Sequence, residues 1–135
     1  MSQRPAKHEE NLAECGGMLL LGRNLSDLNG NAHPMANVLP FEARRGRLQV
    51  GYRRLKPRGD GLLVKKGERF TGHEFHRWEL LDHRKANDRS LLWEIDGWRV
   101  SQRPEGWNKR TLHASWVHLH WASCSTICFR WRAAL

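Results

Sequence analysis

One cysteine, Cys15, is followed at once by Gly16 and Gly17 and then by the apolar run Met18-Leu19-Leu20-Leu21. That order suits a nucleophile on a sharp turn between a strand and a helix. The strand ends, the side chain projects from the turn, and the first helical amides face the reacting atom. Glycine permits the tight backbone and a close approach of substrate. The thiolate is the reactive form of cysteine, and a helix N-terminus or a nearby histidine favours it. The amide of Gly16, next after the nucleophile, is placed to donate to a developing oxyanion. The same letters also describe a buried cysteine beside an ordinary Gly-Gly turn, because a free thiol often behaves as a small hydrophobe.

A thiol nucleophile needs a base. His118 and His120 stand two apart in an alternating stretch, on one face of an expected strand. Either has the chemistry to take the Cys15 proton and hand it to a leaving group. The acid of His73-Glu74-Phe75-His76 is a candidate support. The competing chemistry is a metal site, with Cys124 and Cys128 joining His118 and His120 as ligands. The cysteine gap is wider than the usual zinc knuckle, and on a helix two residues at that spacing share a face as buried small residues would. His73-Glu74-Phe75-His76 lacks the His-Glu-x-x-His spacing. No metal is expected.

These residues need elements to hold them. Residues 1–10 read as a polar tail and 11–135 as one domain. Asn11-Leu12-Ala13 is the end of a strand leading to Cys15, and residues 16–25 read as a helix that Gly22 could close. Asn29-Gly30 suits a tight turn. Arg44-Arg45-Gly46-Arg47 reads as a solvated loop, residues 48–53 as a strand, and residues 70–81 as a strand carrying Glu74. Asp96-Gly97 between apolar runs is the clearest hairpin signal. Arg103-Pro104-Glu105-Gly106 reads as a loop and residues 111–121 as one strand. Residues 122–135 read as a helix with Ser123 or Ser125 near its cap.

Composition bounds the class. The chain of 135 residues carries a formal net charge of +9 and seven tryptophans. A basic, Trp-rich chain has the means to bind nucleic acid through phosphate contacts and stacking. The arginines are spread along the chain rather than gathered in one run, which suits a solvated surface or an acidic substrate equally. Three cysteines, an odd number, argue against a disulfide framework and for a reducing cytoplasm. No apolar run approaches transmembrane length, so no membrane partner is expected.

Six segments occur in an order that is itself informative. They are Ala-Glu-Cys-Gly-Gly-Met-Leu (13–19), Leu-Ser-Asp-Leu (25–28), His-Pro-Met-Ala (33–36), Leu-Gln-Val-Gly-Tyr-Arg (48–53), Gly-His-Glu-Phe-His (72–76) and Ala-Ser-Trp-Val-His-Leu-His (114–120). Together they resemble the glutamine amidotransferase half of the cobyrinic acid a,c-diamide synthase family of corrin biosynthesis. The resemblance implies an α/β fold: part of a flavodoxin-like class I glutamine amidotransferase domain with additional antiparallel strands. It implies L-glutamine as substrate, Cys15 as nucleophile, His118 as base and Gly16 as oxyanion donor. Related amidotransferases place an acid two residues after that histidine. Here the position is His120, so the third member is expected to be absent or supplied from elsewhere, with Glu74 as one choice and His120 as a further supporting residue.

The resemblance also implies parts that these residues lack. No Gly-Gly-Tyr-Pro-Glu-like loop supplies a second oxyanion donor, and no Gly-x-x-x-x-Gly-Lys-Ser/Thr supplies a nucleotide site. No cofactor is expected on this chain. ATP and Mg²⁺ belong to a synthetase half acting on cobyrinate or hydrogenobyrinate, supplied by a longer polypeptide or a partner chain. The expectation is a C-terminal piece of a longer enzyme, as a truncated gene, a split subunit or an inactive remnant.

Overall fold

The strand expected over residues 70–81 forms with those bounds in the computed structural model, which describes residues 9–135. The expected polar tail lies, up to residue 8, outside the described residues. Alternating burial along Phe70–Leu81, with Gly72, Glu74 and His76 turned inward, accounts for that strand, here β5. The other strands are β1 Asn11–Glu14, β2 Asn24–Ser26, β3 Ala32–Pro34, β4 Glu42–Pro57, β6 Leu91–Gly97, β7 Val100–Lys109, β8 Leu112–Ser115 and β9 Val117–Leu119. Two α-helices, α1 Gly16–Leu19 and α2 Ser125–Ala134, complete the described elements with a 3₁₀ turn over Trp121–Ser123.

The fold is mixed α/β and rich in strand. One sheet runs β1-β8-β7-β6-β4-β2-β3, with β5 pairing β4 and β9. β1 lies parallel to β8 and β2 parallel to β4; the other pairings are antiparallel. Two apolar clusters pack against it. One joins Met18, Phe41, Trp107 and Trp116; the other joins Leu55, Trp93, Val117 and Ile127.

Several local expectations give way to tertiary pairing. The helix expected over residues 16–25 stops after one turn. The amides of Ala36, Asn37, Val38 and Leu39 take the carbonyls of Leu20, Gly22 and Leu21, drawing that segment out of helical pairing. A Cβ on Gly22 would also press into the Phe41 ring. The basic run 44–47 lies inside β4, not in a loop, because Arg44 pairs with Glu79 and Arg45 lies 5.3 Å over the Trp78 ring. Residues 103–106 are strand as well, laid along β6 with Pro104 opposite Glu94.

The β6–β7 hairpin is present, but its tight turn is Trp98-Arg99, with Arg99 at φ 58° and Gly97 opposite Val100. Asp96 stays in the strand, where it accepts from Arg54 Nε at 2.7 Å. The C-terminal helix forms, with Cys124 rather than a serine at its cap position and no side-chain cap bond. The strand expected over residues 111–121 is two strands. β8 pairs with β1 and β7, the chain breaks at Trp116, and β9 pairs with β5. That break decides where His118 goes.

Candidate active site

Cys15 sits where β1 ends and α1 begins, at φ 51° and ψ −115°. A side chain larger than glycine rarely holds a positive φ, and such strain collects at functional turns. Two bonds hold it: the Cys15 amide donates to the Ser115 carbonyl at 2.7 Å, and the Met18 amide donates to the Cys15 carbonyl at 3.0 Å. Gly17 packs against Ala13, with an ordinary 3.7 Å approach for an added Cβ. A Cβ on Gly16 would meet nothing within 4 Å, so that glycine faces open space.

The thiol donates to the Phe75 carbonyl at 3.4 Å. It borders a cleft of about 260 Å³ lined by Gly16, Arg45, His76, Trp78 and Trp116 among others. Burial pushes the thiol pKa above the ordinary cysteine value, and the Glu74 and Glu14 charges push the same way; the Gly16 amide opposes them. The thiolate expected from a helix N-terminus is therefore not the resting form. A single helical turn aligns few amides, and two carboxylates stand nearby.

His118 is half exposed in the middle of β9, opposite His73 of β5. Its Nδ1 lies 3.3 Å from Glu14 Oε2. Glu14 also accepts from the Leu119 amide at 3.2 Å and from Trp121 Nε1 at 3.4 Å. Burial raises its pKa, and the bonds from Trp121, His118 and Leu119 pull it back. The acid that meets His118 is thus the residue immediately before Cys15. Glu14 lies within the Ala-Glu-Cys-Gly-Gly-Met-Leu segment, where the sequence alone marks no role for it. The available signal was strand alternation, which sends Glu14 away from its neighbours Ala13 and Cys15.

Glu74 does not reach His118. Its buried carboxylate accepts from Arg53 Nε at 2.7 Å, pairs with His76 Nε2 at 2.8 Å and accepts from Arg103 at 2.9 Å. Burial alone would raise its pKa; the His76 bond, the Arg103 charge and the Arg53 bond overcome that and hold it at about 2. His76 stacks on Trp116 with ring centroids 3.8 Å apart. Its Nδ1 accepts from the Trp78 amide at 3.3 Å, so both ring nitrogens are engaged.

His120 turns elsewhere, with Nδ1 2.9 Å from Ser123 Oγ at the 3₁₀ turn. Cys124 is buried in the second apolar cluster, and Cys128 donates to the Trp121 carbonyl at 3.6 Å. His118, His120 and Cys128 thus have separate partners, and Cys124 lies among apolar side chains. Many of the arginines are likewise engaged, Arg54 with Asp96, Arg58 with Glu94, Arg84 with Asp82 and Arg130 with Glu68.

Residues 3–125 match the CobB/CobQ-like glutamine amidotransferase domain. The chain is 36% identical over 112 residues to a cobyrinate a,c-diamide synthase of Gloeobacter violaceus, covering 82% of this chain and 23% of that protein. It is 33% identical over 131 residues to the cobyrinate a,c-diamide synthase of Salmonella typhimurium, covering 90% of this chain and 27% of that protein. It is 40% identical over 113 residues to a hydrogenobyrinate a,c-diamide synthase of Streptomyces coelicolor, covering 82% of this chain and 21% of that protein. The chain spans about a quarter of the length of these relatives.

Proposed function

Because the chain belongs to the CobB/CobQ-like glutamine amidotransferase domain family, we propose that it hydrolyses L-glutamine with Cys15 as nucleophile and His118 as base. The observation that carries this reading is the strained Cys15 turn, adjoined in sequence by the acid that holds His118. Glu14 fixes Nδ1 of the imidazole and leaves Nε2 to act as the base. Cys15 Sγ attacks the side-chain amide carbon, and the carbonyl electron pair moves onto oxygen, where the Gly16 amide donates to it. Because burial holds the thiol protonated, His118 removes the proton as the C–S bond forms. The proton passes to the amide nitrogen, the C–N bond breaks, and ammonia leaves a thioester. Water, giving a proton to the same imidazole, cleaves the thioester to glutamate and restores the thiol.

The names of the relatives extend this reading. The ammonia would amidate the a and c acetate carboxylates of cobyrinate or hydrogenobyrinate, with ATP and Mg²⁺ held on parts of the longer proteins outside this stretch. No residue here is assigned to them. Three free thiols suit a reducing, cytoplasmic setting.

Covalent trapping tests the reading. A diazoketone analogue of glutamine, followed by intact mass, should give an adduct that requires Cys15, forms slowly in His118→Ala and is blocked by excess glutamine. No adduct, while a general thiol reagent still labels Cys15, would defeat it.

A further inference from the structure

We propose that Glu105 is a positioning residue for this site: its carboxylate shapes the break between β8 and β9 and thereby sets Cys15 and His118 relative to one another. Glu105 lies on β7 and is 5% exposed. One oxygen accepts from the Trp116 amide at 2.7 Å. The other accepts from Ser115 Oγ at 2.6 Å and from Trp93 Nε1 at 2.8 Å. Ser115 Oγ in turn accepts from the Val117 amide at 2.9 Å.

Ser115, Trp116 and Val117 are where the chain leaves β1 and β7 and joins β5. A buried amide left without a partner at such a break is destabilising. Here the amides of Trp116 and Val117 find side-chain acceptors in one network anchored on Glu105. Each of the same three residues adjoins a part of the candidate site. The Ser115 carbonyl takes the Cys15 amide at 2.7 Å. Trp116 stacks on His76 and lines the cleft that Cys15 borders. Val117 precedes His118. Burial raises the Glu105 pKa and the bonds from Ser115, Trp116 and Trp93 oppose that rise. Its two oxygens accept from all three donors, whereas a glutamine amide turns an N–H₂ toward at least one of them.

Only the activity arm of the test rests on the glutaminase reading. In the full chain, the pH–rate profile for iodoacetamide alkylation of Cys15 is followed by peptide mass in wild type, Glu105→Gln, His118→Ala and the double variant. Glu105→Gln should change the Cys15 rate by about 10- to 100-fold, the scale of a small misplacement in an active site. That change should vanish when His118 is already alanine. Where glutamine is turned over, kcat should fall by a similar factor with little change in KM.

A folded Glu105→Gln with an unaltered Cys15 profile, or an effect that adds in full to His118→Ala, overturns the proposal. If Glu105→Gln does not fold, Ser115→Ala removes the bridging hydroxyl alone and must show the same non-additivity; its absence overturns the proposal equally. Wild type that alkylates as expected but never hydrolyses glutamine defeats the glutaminase reading and leaves the Glu105 result standing.

Discussion

Glu14 meets His118 at 3.3 Å with the imidazole half exposed, whereas Glu74 meets His76 at 2.8 Å with both side chains sealed. Among the described residues His118 has a ring nitrogen to spare, while His76 spends one on Glu74 and the other on the Trp78 amide. Glu74 further holds two guanidinium groups, one of them buried. Both regions contain a carboxylate and a histidine within bonding distance. The unspent nitrogen, rather than the residue types, is what separates the two pairs. The satisfied pair is a joint between β4, β5 and β7.

Exchanging the injuries tests that contrast. His118→Ala should lower glutamine hydrolysis about 100- to 10,000-fold, the usual range for a general acid–base group, and leave the urea midpoint near wild type. Glu74→Ala should do the reverse. It strands buried Arg53 and should cost about 3–5 kcal/mol of stability in urea denaturation, with activity falling only as the folded fraction falls. A Glu74→Ala protein that is stable but inactive would erase the distinction.

Acid should sharpen it. Glu74 is held at about 2, below the ordinary glutamate value of 4.5. Its stabilisation is present above 4.5 and is lost as pH falls from there toward 2. Buried His113 is lowered to about 4 from 6.5 because burial disfavours its charged form. Its neutral form is what the fold accepts, so stability is lost as pH falls from 6.5 through 4 while the unfolded chain takes up a proton. Denaturation midpoints against pH should therefore decline in two stages. His113→Leu should abolish the upper stage and leave the lower one.

The smallest expected effect is at Gly16, where an added Cβ meets no atom. Gly16→Ala should leave stability unchanged or raise it by up to about 1 kcal/mol through helix propensity, measured by urea denaturation. Its methyl would enter the space beside the thiol. Glutamine should then protect Cys15 from the diazoketone less well than in wild type.

The elements legible in the sequence share a local cause. Phe70–Leu81 alternates, the C-terminal residues carry helical spacing, and Asn29-Gly30 supplies the glycine at φ 81° that the β2–β3 turn uses. The illegible ones were settled by distant partners. Arg44 and Arg45 look like a solvated loop until Glu79 and Trp78 stand beside them, and residues 103–106 look like a turn until β6 supplies a ladder. In the candidate site, Cys15, Gly16 and His118 are legible because a cysteine before two glycines and a histidine in an alternating stretch are local patterns. Glu14 is not, because its partner His118 lies 104 positions along the chain.

By itself the sequence determined the chemical vocabulary: a cysteine before two glycines, a pair of histidines near the C-terminus, an excess of arginine, and six ordered segments that point to one family. Local sterics and alternation need only neighbours, so they can be read from neighbours. Which acid serves which histidine was decided in the folded protein alone. The break at Trp116 moves the chain from β1 to β5 between residues 115 and 117, so that His118 comes to Glu14 while Glu74 is enclosed with His76, Arg53 and Arg103. Burial then raised the Cys15 thiol, and His76, Arg103 and Arg53 lowered Glu74 against its own burial. Such shifts are properties of an assembled environment, and no single stretch of chain contains them.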